Sequence, residues 1–420
     1  MKDYGFLLEE IKNSIQIATG CTEPAAIALN AAVARKHSPG TIKKVEIRMD
    51  MGLLKNAMFV GIPGVKGRGV ELCAALGMIA GDPADAMDVL SRIRAEHEEE
   101  ARALLPLISV VPREGCRELY IETVISTDRE TTRVITYKTH DNIALVEHPP
   151  FSVFSPVDSD VPERLKEFSL EDMKDFADRV DREKIAFLEE GVAINRRVAE
   201  KGLELGFGRS LSELNRSDLW GDTLIPHVQM ITGAASFARM TGVQLPVMIA
   251  TGSGNQGITI FLTLAAAAEK LGASREKLLR GLCLAMGVNL LAKAYIGTLA
   301  PICACGVASG LGASVGIVYI LNGTAGQMMG AVRSMIGGIT GMICDGAKEG
   351  CANKVAISAA TAALSAMTAV SNFSVSGDDG ILAEDIHGVF RNMEYLAKKG
   401  MTDTNRVILD IMKNKPRKGC

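Results

Sequence analysis

The sequence predicts an α+β fold: a small α/β sheet domain followed by a larger all-helical catalytic domain. Three observations predict it. Strand-like runs crowd into residues 41–150, a proline-bearing stretch "HPPFSVFSPVDSDVP" (148–162) closes them off, and helical patterns then run from 165 to 420. The composition agrees, because 47% of the residues are apolar yet only 5% are aromatic, and 42 are glycine. Such a chain buries its core through small residues at helix contacts rather than through large rings. At 420 residues it is long enough for two domains.

Taken in order, residues 6–19 and 24–36 read as helices flanking the interruption "GCTEP", and residues 1–40 are expected to pack on the helical domain. "KKVEIRM" alternates with period two, placing Val45, Ile47 and Met49 on one side of a strand. "GIPGVKGRGVELCAALGMIAG" reads as a turn and a helix, and "RIRAEHEEEARALL" as a charged helix. "LISVV", "ELYIETVIS", "TRVITYK" and "NIALVEH" read as strands, with "TDRETT" and "THDN" as hairpin loops between the last three. Beyond the linker, "SLEDMKDFADRV" opens with a Ser-x-x-Asp capping pattern and begins the helical domain.

Several function classes are excluded at this level. The net charge is −3 and basic residues cluster only in the tail "KNKPRKGC", so nothing forms the positive face that nucleic acid requires. The opening "MKDYGFLLEEIKNSI" carries acids inside its apolar stretch, unlike a secretory signal. The most apolar region, 306–344, is interrupted by glycines and contains Arg333. A bilayer span needs ~20 nearly unbroken apolar residues, so buried helices, no membrane partner and a cytoplasmic location are expected.

Two glycine runs invite a nucleotide reading. "GIPGVKGRG" fails as a P-loop because Gly67 follows Lys66 where Ser or Thr is needed. "ATGSGNQGI" contains Gly252-x-Gly254-x-x-Gly257, but the segment after its helix, "GASREKLLRGLCLAMG", is helical where a Rossmann unit needs a strand. No NAD site is expected. What remains is a glycine loop that bears Ser253 and Asn255 and opens a helix, a place suited to a small carboxylate.

Nine cysteines stand at 21, 73, 116, 283, 303, 305, 344, 351 and 420. The odd count argues against a disulfide framework. Cys73 and Cys283 sit in apolar helical contexts as small hydrophobes. "PICACGVASG" and "GMICDGAKEGC" differ, since their cysteines lie in glycine-rich segments. Structural zinc favours Cys-x2–4-Cys pairs, which are absent. On an intact helix Cys344 and Cys351 would be separated by roughly 10 Å, so Gly346 and Gly350 point to a loop that folds the two sulfurs together. In "CAC" one of Cys303 and Cys305 ligates and the other packs. Three thiolates from two loops suit a [4Fe–4S] cluster with one open iron, and such an iron is a Lewis acid.

"GCTEPAAIAL", "ATGSGNQGI", "CACGVASGLGAS" and "GMICDGAKEGCANK" together resemble the single-chain L-cysteine desulfidases, within the iron–sulfur L-serine dehydratase alpha-chain superfamily. The resemblance covers nearly the whole chain. It implies a lyase that converts L-cysteine to pyruvate, ammonia and hydrogen sulfide with a [4Fe–4S] cluster and without pyridoxal phosphate. It implies metal binding by Cys305, Cys344 and Cys351. Gly310 follows Cys305 by five residues, as a glycine follows the first ligand in the dehydratases, which favours Cys305 over Cys303. Dehydratases carry a serine-rich motif where this chain has "GCTEP", and that difference favours a thiol substrate. Some bacterial dehydratases end in a cysteine that occupies the open iron. Cys420 ends this chain, and an incidental tail cysteine is favoured over a fourth ligand.

In this reading Cys21, before the helix that starts at Thr22-Glu23-Pro24, is the catalytic base, its thiolate favoured by the helix dipole. Ser253 and Asn255 hold the substrate carboxylate and amino group, with Thr22, Glu23 and Gln256 beside them, and Lys354 or Asn353 assists. His227 is read as a core histidine without a role. The substrate is a small amino acid, and a homodimer is expected. Two alternatives stand beside this one: an L-serine dehydratase on the same scaffold, and a non-catalytic iron–sulfur or zinc protein that handles sulfur.

Overall fold

The computed structural model describes residues 2–115, 118–156, 161–207, 213, 221–297 and 299–415. Helix α1 (Tyr4–Asn13) is followed by strand β1 (Ile15–Thr19) and helix α2 (Thr22–Lys36). Residues 15–19 are therefore a strand where the sequence reads as helix. Ile15, Ile17 and Thr19 are β-branched at alternate positions, a pattern that loses rotamer freedom in a helix and suits a pleated partner.

A five-stranded sheet follows, made of β2 (Ile42–Asp50), β3 (Ile108–Arg113), β4 (Tyr120–Thr127), β5 (Thr131–Tyr137) and β6 (Ile143–Glu147). The order is β3-β2-β4-β5-β6, with β2 and β3 parallel and the other neighbours antiparallel. Parallel strands cannot be joined by a tight turn. The β2-to-β3 connection accordingly carries α3 (Met51–Ala57), α4 (Val70–Ala80) and α5 (His97–Leu104). Val45, Ile47 and Met49 face one core together with Ile121, Ile125 and Val134.

That core also contains Ala25 to Ala34 of α2 and most of α4. The two N-terminal helices thus part company. Leu7, Leu8 and Ile11 of α1 enter the helical core, whereas α2 covers the sheet and not the helical domain on which the sequence placed both. Its run of alanines lets α4 approach closely. A Cβ on Gly77 would fall 2.3 Å from the carbonyl oxygen of Ala28.

The helical half comprises α6 (Leu170–Arg179), α7 (Leu188–Glu204), α8 (Leu224–Met240), α9 (Gly254–Leu271), α10 (Arg275–Ile296), α11 (Val307–Ile320), α12 (Ala325–Ile339), α13 (Cys351–Val370), α14 (Ile386–Tyr395) and α15 (Thr404–Lys413). Helix α6 begins with the capping box expected at Ser169 and Asp172. Helix α10 is long and apolar enough to cross a membrane by length and composition, but 83% of that stretch is buried inside the protein. Glycine permits its contact with α11, because a Cβ on Gly312 would lie 2.4 Å from the carbonyl oxygen of Ala285.

One further strand, β7 (Pro246–Ala250), lies inside the helical half and pairs antiparallel with β1, Ile17 opposite Met248. It feeds directly into the glycine loop and α9. The strand–loop–helix arrangement mimics a dinucleotide fold, yet among the described residues β7 has no parallel neighbour.

Gly77→Ala is expected to lower the unfolding free energy by about 1–3 kcal/mol, since backbone on the facing helix must shift to admit a methyl group. Urea denaturation monitored by circular dichroism reads this directly. An unchanged midpoint would contradict the close α2–α4 packing.

Candidate active site

The three glycines of the 252–257 loop have three separate steric reasons. Gly252 adopts φ +80°, which side chains rarely tolerate. A Cβ on Gly254 would lie 2.3 Å from Nε of Arg239, and one on Gly257 would lie 2.1 Å from the carbonyl oxygen of Met248. The loop is thus shaped by a guanidinium and a strand and not by a pyrophosphate. Thr251 also has positive φ, +45°. Its hydroxyl donates to Gln256 Oε1 at 2.7 Å and accepts from Asn289 Nδ2 at 2.8 Å, and this network holds the strained residue in place.

The two cysteine-bearing loops are joined by main chain. Ile302 and Ile343 form an antiparallel bridge; the N–H of Cys303 donates to Met342 O at 2.8 Å and that of Cys344 to Pro301 O at 2.7 Å. Residues 341–350 are not helical, and α13 starts at Cys351. Lys354 donates to Ile343 O at 2.8 Å and pairs with Asp345, closing the loop around Cys344. Its role in the structure is therefore to hold the loop. From the sheet half, buried Lys55 donates to Cys344 O at 2.5 Å and to Asn405 Oδ1 of α15 at 2.8 Å.

A cavity opens between these parts. Cys303, Cys305 and Cys344 line it together with Ser253, Gln256 and Glu23, and Lys55, Asn56 and His140 close it from the sheet half. Ser253 Oγ lies 3.3 Å from Cys305 Sγ, and Thr259 Oγ1 donates to Cys305 O at 3.0 Å. Cys351 sits just beside this lining, packed with Cys21, Val60, Met240 and Ala347. It remains within electrostatic reach of Cys305 and Cys344. Asn255 is buried behind the loop, its Oδ1 accepting from Arg239 Nη1 at 3.1 Å. Thr22 is buried on Glu23, donating to Oε2 at 3.1 Å. Cys420 and Cys116 lie outside the described residues. His227 is partly buried, with Nε2 4.0 Å from Glu269 and away from the cavity.

The cysteines are free, not disulfide-bonded. The adjoining Cys303 thiol, then burial, pushes Cys305 well above the usual thiol range, and burial takes Cys351 up to about 11. Burial also takes Lys293 of α10 down to about 8, against the pull of Cys305 and Cys344. Among the described residues no three His, Cys, Asp or Glu side chains stand close enough to share one ion. Sulfurs around a multi-iron cluster each bind a different iron and so stand farther apart than ligands of a single ion. A cation that replaces their protons would offset the cost of holding buried sulfurs as thiolates.

Cys21 behaves differently from the sequence expectation. It precedes α2 as anticipated, but burial, and next the charge of Glu23, push its thiol well above the ordinary value, opposite to a dipole-favoured thiolate. Its Sγ donates to Glu23 Oε2 at 2.9 Å. Glu23 also accepts from Asn56 Nδ2 at 2.9 Å. Burial pushes Glu23 up, but the hydrogen bond donated by the Cys21 thiol and the charge of Arg239 bring it below the usual carboxylate range.

His140 is the group that sequence reasoning missed. It belongs to "THDN", which reads only as a hairpin loop, yet it is 4% exposed and both ring nitrogens are buried without a partner. Burial lowers its basicity, and the charge of Glu23 opposes this only in part, so the imidazole is neutral. Lys55, Asn56 and Arg239 were missed as well, because no local pattern marks them.

Over residues 85–410 the chain matches the serine dehydratase alpha chain family. Similarity over essentially the full length extends to UPF0597 proteins. That of Clostridium tetani is 37% identical, covering 98% of this chain and 99% of the relative. Those of Caldanaerobacter subterraneus and Desulfatibacillum aliphaticivorans are 35% and 36% identical, covering 99% and 96% of this chain and 99% and 97% of their own lengths.

His140 gives a pH dependence of stability. Its folded pKa is depressed, so its contribution is fully present above the unfolded value of about 6.5 and is lost as pH falls below it. Urea midpoints at pH 7.5 and 5.5 should differ more for the wild type than for His140→Asn. Parallel shifts in the two proteins would rule out a buried neutral imidazole.

Proposed function

The chain belongs to the serine dehydratase alpha-chain family, and from that premise we propose that it is an iron–sulfur lyase that cleaves L-cysteine to pyruvate, ammonia and sulfide. The observation that carries this reading is the meeting of a thiol set, Cys305, Cys344 and neighbouring Cys351, with a neutral, unpartnered His140 about one cavity. These three cysteines would hold a [4Fe–4S] cluster, with Cys303 the next candidate and no pyridoxal phosphate involved. When bound, a cluster with a vertex free of protein sulfur supplies Lewis acidity toward the leaving group.

The remaining chemistry falls to side chains. His140 takes the α-proton, since a neutral imidazole with an open nitrogen is a base near neutral pH. The electrons of that C–H bond form the Cα–Cβ double bond while the Cβ–S bond breaks, and sulfur leaves as hydrosulfide. The 2-aminoacrylate so formed tautomerises to an imine, which water hydrolyses to pyruvate and ammonia. Glu23, facing His140, stabilises the imidazolium, and Cys21 steadies Glu23 through its hydrogen bond. In this assignment Cys21 acts through Glu23 and is not itself the base. Ser253, Asn255 and Gln256 bind the substrate's polar end, with Thr22 buttressing Glu23.

L-Serine is the second reading, differing only in its leaving group. The cavity wall beside the cysteines is formed by Leu299, Ala300, Ile302 and Ala304. An apolar wall suits a weakly hydrated hydrosulfide better than a hydroxide, which favours cysteine.

Protein purified without oxygen is expected to contain iron and acid-labile sulfide and to release pyruvate faster from L-cysteine than from L-serine. The opposite preference would make it a serine dehydratase, and iron-free protein would defeat the lyase assignment. Alanine at position 305, 344 or 351 is expected to remove iron and turnover together.

His140→Asn is expected to keep the iron and to lower kcat by about 10²–10⁴-fold, the usual worth of a general base. Cys21→Ala should retain far more activity. A Cys21 variant as impaired as the His140 variant would return the base role to the thiol.

A further inference from the structure

Arg239 is a buried cation to which the mechanism above assigns no contact with the substrate. It is 2% exposed, yet among the described residues no carboxylate lies within ion-pair distance of it. Nε donates to Gly20 O at 3.0 Å and Nη1 to Asn255 Oδ1 at 3.1 Å, while Nη2 is buried with no partner. Leaving one guanidinium donor unpaired in a core is costly unless a ligand completes it.

Its surroundings point to the ligand's charge. The guanidinium lies against the first turn of α9, where only a glycine at 254 leaves it room. Ser253 caps that 18-residue helix without a side-chain hydrogen bond to it, its hydroxyl being turned to Cys305 instead. The first-turn N–H groups of a helix have no intrahelical partners and attract anions. With Asn255 Oδ1 turned to Arg239, the Asn255 Nδ2 donors remain for a ligand. First-turn N–H groups, the Asn255 Nδ2 donors and a guanidinium with an unpartnered Nη2 thus gather behind Gly252 and Ser253, which line the cavity.

We propose that Arg239 is the specificity-determining residue for an anionic α-carboxylate, which seats at the N-terminus of α9 and completes the unpaired guanidinium. This deepens the lyase reading and rests on it for the identity of the substrate. It confines the enzyme to amino acids with a free carboxylate and excludes amines, esters and peptides that continue beyond that carbon.

The test compares two thiol ligands on anaerobic, iron-loaded protein by isothermal titration calorimetry. 3-Mercaptopropionate carries the carboxylate without the amine, and cysteamine carries the amine without the carboxylate. Arg239→Gln is expected to weaken 3-mercaptopropionate by about 10- to 100-fold, the worth of a charged hydrogen bond. Cysteamine affinity and iron content should stay unchanged, and the KM for L-cysteine should rise more than kcat falls. Asn255→Asp supplies an internal carboxylate for Arg239, so it should fold and should also lose 3-mercaptopropionate selectively. If Arg239→Gln does not fold, the Asn255→Asp result decides. Equal losses for both ligands, no loss for either, or a wild-type protein that binds no 3-mercaptopropionate would overturn the proposal. Arg239-dependent carboxylate binding in a protein that cleaves neither cysteine nor serine would instead sink the lyase reading and leave this subsite standing.

Discussion

The site depends on two main-chain hydrogen bonds, one on each side of the Ile302–Ile343 bridge. They hold two loops separated by helices α11 and α12 side by side, and so bring Cys303 and Cys305 next to Cys344. Side chains alone could not do this, because the loops are rich in glycine and cost much backbone entropy to order. The pairing is reinforced from outside by Lys55, whose ammonium grips Cys344 O and Asn405. It is reinforced from within by Lys354 and Asp345. A buried lysine held by two neutral acceptors is an expensive fastening, and its use here indicates how closely the loop position is controlled.

Around that fastening the fold brings together groups of opposing tendency. The Cys303 thiol and burial push Cys305 up and burial keeps the imidazole neutral, while Glu23 is kept ionised by the charges and donors about it. A neutral imidazole, an ionised carboxylate and a thiol of raised pKa occupy one small volume because each has a different set of partners, a division that clusters at functional sites. The same surroundings explain why the helix dipole does not decide the state of Cys21. A dipole at a helix terminus contributes about 0.3–1 kcal/mol at exposed sites, whereas complete burial beside a carboxylate acts on the thiol far more strongly.

Much of the sheet was legible, since its strands are rich in β-branched residues, β3 and β6 alternate, and the loops after β4 and β5 are polar. The β1–β7 ribbon was not, because each strand has five residues and its partner lies more than two hundred positions away. No local signal can report such a pairing. The glycine loop was legible as something other than a dinucleotide site, but its reasons were not, because Arg239 and Met248 reach it only through tertiary packing. Cysteines stand out in a sequence by their chemistry and their spacing. His140, Lys55 and Asn56 do not, for a histidine in a turn and a lysine in a short helix are ordinary surface residues until the fold buries them.

The cavity is also a joint. Glu23, Lys55, Asn56 and His140 come from the sheet half, and Ser253, Gln256 and the cysteines from the helical half. Neither half encloses the reaction space alone. Any small sliding of the sheet over the helices would therefore separate Glu23 and His140 from the cysteines before it disturbed either core. A chain built this way can be silenced by loosening one seam, with both of its folded parts left whole.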